Sequence, residues 1–307
     1  MPTVDVLIPV YNAAAYLAQA VASVLDQDVD GLRIVLIDNA STDGSAELGA
    51  AMAAADRRIE VVRHPENLGA QASFNEAIDL ARGDYMMILC ADDFLTPGAL
   101  GLAVAALETS PRATFAIGAD LVQIEGQRPL RQPEPPAGWR VVAGHDFIEE
   151  ACRSTGTSLA LGAVLARTSV QKRIGHYRPE IPYTDDLDMA LRMAVEGDVV
   201  AFDAALGIRR EHAAQQSATR FSSEVARLEQ RFAAFDGFFS REGSVLPDAR
   251  RLRTLARRRL AVIAYRDAVK RMLRGSARTA AAMAAYAFKL SPSALLSVPV
   301  PRRPRPL

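Results

Sequence analysis

Cysteine is nearly absent: there are two in 307 residues, Cys90 and Cys152. They are too few for a disulfide framework and fall in no metal or redox spacing, so a reducing compartment is expected. The N-terminus lacks a basic segment, and Asp5 interrupts its early apolar stretch. No uncharged apolar run approaches the ~20 residues needed to cross a bilayer. These absences predict no signal peptide and no membrane span, hence a cytoplasmic chain. No G-x-G-x-x-G turn follows the first apolar run and no G-x-x-x-x-G-K-[ST] occurs, which excludes a dinucleotide fingerprint and a Walker phosphate cradle. Internal repeats are missing too.

Net charge is also absent, since 36 Lys and Arg balance 36 Asp and Glu, and no nucleic-acid partner is expected. The balance conceals an asymmetry. Residues 201–307 hold 21 Lys and Arg against 8 Asp and Glu, so the first 200 residues are correspondingly acidic. A basic last third suggests contact with something anionic, either a membrane face or the chain's own acidic part.

Half the residues are apolar, enough for a sizeable core, and they are patterned. Residues 4–10 read as a first strand, with Leu17, Ala20, Val21 and Val24 at helical spacing behind it. Further strands are expected at 33–37, 59–63 and 85–89, and helices at 45–54, 70–81 and 98–107. Strands alternating with helices predict an α/β fold with a mostly parallel central sheet and right-handed crossovers. Strand-like runs at 114–117 and 121–124 precede a proline-rich loop at 129–138, and a helical pattern rich in Arg and Ala spans 220–290.

Asp92 and Asp93 follow the uncharged run 85–91, with Thr96-Pro97 just beyond. In open α/β sheets ligands bind at the carboxyl ends of strands. Two adjacent carboxylates there repel unless a cation neutralises them, and Mg²⁺ shared with substrate phosphates is a common answer. The plainer reading is a helix cap. Pro9, Tyr11 and Asn12 close the first strand, offering a ring on which a base can stack, and Asp38 closes the second, able to accept from a base or a ribose hydroxyl. A second acidic group, Asp185-Asp186-Leu187-Asp188, opens a helical pattern through Leu191 and Ala194. The helix dipole favours acids at such a position in any case.

Taken in order, these residues resemble the inverting glycosyltransferases of family 2, whose fold is called GT-A. The resemblance runs over residues 3–217 through Val6-Leu7-Ile8-Pro9-Val10-Tyr11-Asn12, the segment 36–45, Asn67-Leu68-Gly69 with Asn75, Ala81-Arg82-Gly83-Asp84, and Ala91-Asp92-Asp93. It continues through Asp185-Asp186-Leu187-Asp188, Leu191-Arg192, His212 and Ser217. It implies a nucleoside-diphosphate sugar as donor, with Pro9, Tyr11, Asn12, Asp38, Gly69, Asn75 and Asp92 on the donor side. Mg²⁺ or Mn²⁺ would be held by Asp93 with His212 nearby, and Asp186, with Asp185 beside it, would be the general base. Arg209 and Arg210 are candidate phosphate partners. One departure is visible: Cys90 stands where many members carry a further aspartate, so the extended D-x-D form is lost.

The resemblance also implies a nucleotide-sugar-binding half (1–110) and an acceptor-binding and catalytic half (111–219); beyond it, the composition predicts a basic helical extension (220–298) and a disordered tail (299–307). The acceptor would be a saccharide or a lipid-linked saccharide, in cell-surface polysaccharide or glycolipid assembly. The extension would lie peripherally on an anionic membrane face, or pack on the catalytic domain and on a second subunit of a homo-oligomer. Two other readings stand beside this one: a non-catalytic nucleotide-sugar-binding or scaffold member, and a sugar-phosphate nucleotidyltransferase. Pro9-Val10-Tyr11-Asn12 argues against the latter, which opens on a glycine- and arginine-rich loop.

Overall fold

The computed structural model describes residues 2–119, 121–127, 138–156, 164–212 and 223–297. The expected loop at 129–138 (Gly138 excepted), the tail 299–307 and Ser217 lie outside them. The chain divides into two compact units, one of residues 1–147 and 158–215 and one of residues 148–157 and 216–307.

The first unit is built on eight strands in the order β3-β2-β1-β4-β9-β6-β10-β8. β1 (Val4–Val10), β2 (Leu32–Asp38), β3 (Ile59–Arg63) and β4 (Tyr85–Ile88) are mutually parallel, in the α/β alternation the sequence predicts. Their crossovers are α1 (Ala14–Leu25), α2 (Ser45–Ala55) and α3 (Ala70–Leu80). β1 and β2 are buried on both faces, which is why they read as unbroken apolar runs. The exception is Asp5, 2% exposed, whose Oδ2 accepts from Arg33 Nη1 (2.9 Å), Arg82 N (2.7 Å) and Gly83 N (3.0 Å). The approach is close at Gly83, where a Cβ would lie 3.1 Å from Thr3 O and 3.2 Å from Asp5 N, tighter than most side chains pack.

Beyond α4 (Ala99–Glu108) and β6 (Ala113–Ile117) the sheet becomes mixed. β9 (Val164–Arg167) inserts antiparallel between β4 and β6, β10 (Asp198–Phe202) runs parallel to β6, and β8 (Trp139–Val142) closes the edge antiparallel to β10. A second, three-stranded sheet pairs β5 (Phe94–Leu95) and β7 (Leu121–Ile124) with β11 (Gly207–Glu211). Two more helices complete this unit, α6 (Thr168–Ile174) and α7 (Asp185–Glu196), while α5 (Gly144–Ser154) starts in it and passes into the second unit at residue 148.

Strand order reverses between β1 and β4. Successive strands go one way from β1 to β2 and β3 and the other way to β4, so a crevice opens at the carboxyl ends of this pair. β4 ladders to Ile88, opposite Leu7, one residue short of the expected end at 89. The chain then leaves the ladder into a turn closed by Asp93 N donating to Cys90 O (3.0 Å), which brings the acid pair to the crevice.

The second unit is helical over the described residues: α8 (Glu224–Ser240), α9 (Ala249–Leu273) and α10 (Ala277–Leu290), with 3₁₀ turns at Glu242–Val245 and Pro292–Ser297. Ser223 caps α8 by accepting from Ala226 N (3.4 Å). Leu252, Ala256, Leu260, Ala264 and Ala268 form the buried stripe of α9, at the helical spacing the sequence carries.

Candidate active site

At the β1 and β2 ends the chain is tied to itself. Asn12 N donates to Ser41 Oγ (3.0 Å), Thr42 N to Asn12 Oδ1 (2.8 Å), Ala13 N to Ser45 Oγ (2.9 Å) and Ala14 N to Asp43 Oδ2 (2.9 Å). The last two satisfy backbone donors at the start of α1 that no side chain of its own reaches. Asn12 and Ala40 hold positive φ of 51° and 59°. Tyr11 is left 38% exposed.

Asp38 is buried, and its Oδ1 accepts from Ser41 N (3.2 Å), the local turn bond its type favours. Its Oδ2 makes no hydrogen bond among the described residues, although Arg63 Nε lies 3.4 Å away. A buried carboxylate oxygen without a donor beside a pocket is a position for a ligand's N–H or O–H. That pocket, of about 540 Å³, is lined by Ala40, Ser41, Thr42, Arg63, His64 and Pro65.

Asn39 and His64, which sequence reasoning passed over, organise the next loop. Asn39 Oδ1 accepts from Leu68 N (2.8 Å) and faces His64 Nδ1 at 3.0 Å, while its Nδ2 donates to Asn67 Oδ1 (3.0 Å). His64 Nε2 meets Glu76 Oε2 at 2.5 Å. Gly69 takes φ 88° at the start of α3 and donates its N–H to Asn67 Oδ1 (2.8 Å). Asn75 faces away from this loop: its amide brackets the backbone of Tyr177, Nδ2 donating to the carbonyl (3.2 Å) and Oδ1 accepting from the N–H (2.8 Å).

Cys90, Asp92 and Asp93 each turn a donor atom to one point, all within 4.8 Å of one another. Asp93 is 5% exposed and accepts from Arg210 N (2.8 Å). Burial, and next the charge of Asp92, push its carboxyl up to about 7. Burial first, and then Asp93 and Asp92, hold the Cys90 thiol well above its ordinary value. Asp92 Oδ2 lies 3.0 Å from His212 Nε2, and the His212 ring packs on Tyr16 at 4.6 Å. His212 Nδ1 is buried with no partner among the described residues. Arg210 donates from Nε to Asp92 O (2.9 Å) and from Nη2 to Gln19 (2.6 Å), with Tyr16 and Phe94 rings 4.9 and 5.3 Å away. Its guanidinium therefore braces the acid turn.

The second acid group stands at the start of α7, as its helical spacing predicts. Its three aspartates have distinct surroundings. Asp188 is fully buried between Arg178 Nη1 (2.6 Å) and Arg192 Nε (2.8 Å). Asp185 accepts from Gln71 Nε2 (3.0 Å) and from Asp186 N (3.1 Å), and Gln71 also donates to Arg178 O (3.1 Å). Asp186 accepts from no described side chain. Half-buried, it lines a small cavity of about 30 Å³ with Met86, Ile88, Tyr177, Met189 and Met193. Burial and then the Asp185 charge raise its carboxyl well above the ordinary range; burial likewise raises Asp185, with the Gln71 bond opposing. Met86 and Ile88 belong to β4, the strand that runs on into the Cys90–Asp93 turn, so both acid groups border one crevice.

Residues 5–160 match the signature of Glycosyl transferase family 2. The chain belongs to that family. Among curated relatives it is 38% identical over 95 residues to an uncharacterized glycosyltransferase of Haemophilus influenzae, covering 31% of this chain and 38% of that one. It is 41% identical over 98 residues to the succinoglycan biosynthesis protein ExoU of Rhizobium meliloti, covering 32% and 28%. These matches thus span about a third of the relatives' lengths. Two solved structures share the GT-A fold over 96% of this chain. One is Staphylococcus aureus TarS 1–349 in complex with UDP-GlcNAc (TM-score 0.62, 14% identity, 92% of that chain). The other is the Pyrobaculum calidifontis mannosyltransferase PcManGT in complex with GDP-Man and Mn²⁺ (TM-score 0.56, 20% identity, 88% of that chain).

Proposed function

We propose that this glycosyltransferase moves a sugar from a nucleoside-diphosphate sugar to an acceptor hydroxyl with inversion, in assembly of a cell-surface polysaccharide or glycolipid at the cytoplasmic membrane face. The observation that carries the reading is the placement of two acid groups by β4: Asp92-Asp93 on the turn that follows the strand, and Asp186, next to Asp185, in a cavity with its Met86 and Ile88. The complexes of TarS and PcManGT with nucleotide sugars support a donor of that class.

Tyr11 offers its exposed ring to the base, and the undonated Oδ2 of Asp38 accepts from base or ribose. The donor set of Cys90, Asp92 and Asp93, with the Asp93 carboxyl buried beside the Asp92 charge, fits Mg²⁺ or Mn²⁺ held by Asp93. When bound, such an ion neutralises charge on the departing diphosphate. His212, packed on Tyr16, reaches the site only through Nε2 on Asp92; it is not among the residues whose donor atoms converge, which are Cys90, Asp92 and Asp93.

Asp186 takes the proton from the acceptor hydroxyl. Its two rivals on α7 are engaged, Asp188 by two arginines and Asp185 by Gln71 and a backbone N–H. An apolar wall makes Asp186 a stronger base than a solvated carboxylate once ionised, and attack opposite the leaving group inverts the anomeric carbon in one displacement.

Thermal unfolding with UDP, GDP, TDP and CMP conjugates and Mn²⁺ tests the donor class, because a ligand of the folded state raises its apparent stability. One conjugate is expected to raise the transition and to be turned over to an inverted product. No shift with any of them removes the reading; a shift without even slow hydrolysis favours a binding module.

A further inference from the structure

α9 and α10 form a helical hairpin that turns at residues 274–276. Gly275 takes φ 79°, and Ser276 N donates to Arg271 O (2.9 Å). Most cations of this hairpin are matched inside the second unit. Arg251 pairs with Glu149 and Asp248, Arg253 with Asp236 and Arg271 with Glu224, while Arg257 and Arg259 donate to the carbonyls of Leu290 and Arg153. Arg250, Arg266, Arg274, Arg278 and Lys289 are exposed, and their side chains have no partner among the described residues. Arg274 and Arg278 lie at the turn and Arg266 about two helical turns before it, while Arg250 and Lys289 lie at the other end of the hairpin. Between Arg266 and Arg274 stands Lys270, whose one contact is Asp267 at 3.1 Å.

The same turn exposes apolar side chains. Val269 is 37% exposed, Met272 55% and Leu273 76%. Arg266, Val269, Lys270 and Leu273 recur at i, i+3, i+4 and i+7, so they share one face of α9, opposite the buried Ala261, Ala264 and Ala268. Apolar residues ringed by cations at a helix end match the interface of an anionic bilayer, where acyl chains take the former and phosphates the latter. A second copy of the chain fits poorly. Self-pairing would oppose like charges, and three side chains fall far short of the ~800 Å² per partner of a stable interface.

We propose that the α9–α10 turn docks on an anionic phospholipid surface, inserting Met272 and Leu273 while Arg266, Lys270, Arg274 and Arg278 contact the headgroups. No helix among the described residues is long and apolar enough to cross a membrane, so this contact is peripheral. It goes beyond the catalytic reading.

The test is co-sedimentation of the full chain with phosphatidylcholine vesicles, with or without phosphatidylglycerol, at low salt and without any sugar donor. Failure here therefore leaves the transferase reading untouched. The chain is expected to pellet only with the anionic vesicles. Leu273→Ser, which removes apolar contact without adding charge, should weaken binding about tenfold. Arg274→Gln and Arg278→Gln should each cost about fivefold. Leu296→Glu, on the 3₁₀ turn after α10, should bind as the parent does. These positions are exposed, so unchanged circular dichroism melts are expected for all four. The proposal is overturned if the parent chain stays in the supernatant, if Leu273→Ser binds as well as the parent, or if the loss is confined to Leu296→Glu. A concentration-dependent dimer dispersed by Leu273→Ser would also overturn it, giving the turn to protein contact.

Discussion

Two residues apart on α7, Asp186 and Asp188 should answer the same substitution with opposite sign. Asp188 has no exposure and bridges Arg178 and Arg192, the latter 2% exposed. Asp188→Asn keeps shape but leaves buried guanidinium charge against a neutral amide, and breaking such a pair costs about 3–5 kcal/mol. In a unit of this size each kcal/mol moves the midpoint by about 2–4 °C, so a fall of roughly 6–20 °C is expected. Asp186 has its carboxyl raised by burial and by Asp185. A group raised in the folded state stabilises most while it holds its proton. The penalty for ionising it begins as pH passes the ordinary carboxylate range and is complete above the folded value. Asp186→Asn removes that penalty, so it should stabilise by about 0.5–2 kcal/mol at pH 8 and hardly at all at pH 4. Turnover should meanwhile fall by ~10²–10⁴ with donor affinity nearly unchanged. Circular dichroism melts of both variants at the two pH values, with chelator present, measure the stabilities. If Asp186→Asn loses as much stability at pH 8 as Asp188→Asn, the assignment of one acid to chemistry and the other to framework is wrong.

Three further outcomes are expected. Asp93→Asn should keep the fold and remove most Mn²⁺-dependent nucleoside-diphosphate binding; unchanged calorimetric binding with Mn²⁺ would contradict the ligand assignment. Gln71→Leu removes the donor that engages Asp185, so kcat should drop about tenfold with donor KM held; equal changes in both would make Gln71 a donor-site residue instead. Gly83→Ala forces a Cβ against Thr3 O and Asp5, and urea unfolding should register a loss of about 1–3 kcal/mol, or the close packing there is misjudged.

The parallel half of the fold is legible because doubly buried strands read as apolar runs and each crossover begins at glycine or a turn cluster. β3 and β7 fall on their expected residues, and β2, α2, α3 and α4 within a residue or two. The antiparallel insertion of β9 is not legible, since residues 164–167 carry no local sign that they pair with Tyr85 and Phe115. Nor do β8, β10 and β11, short strands whose neighbours come from distant segments. The acids of the crevice stand out as adjacent charges at element ends. Gln71, His64 and Tyr16 do not, because their roles lie in bonds spanning 12 to 114 positions, and nothing in their immediate neighbours distinguishes them; Arg210 is picked out as a candidate phosphate partner, but its guanidinium is engaged by Asp92 O and Gln19. Asn12 and Asn75 show the converse: polar residues at the right places whose side chains are engaged with Thr42 and Tyr177.

The stitching between the β1–α1 turn and the β2–α2 loop has a bearing on how such a chain can change. Left-handed backbone at Asn12 and Ala40 is costly and persists because Ser41, Thr42, Asp43 and Ser45 fix both strands' exits. Altering any of these loosens two loops together, whereas Tyr11 and Arg63 present exposed side chains with few ties to that frame. On the proposed donor reading, drift toward another nucleobase is channelled to Tyr11 and to Arg63, which lines the neighbouring pocket, while the surrounding backbone stays as it is.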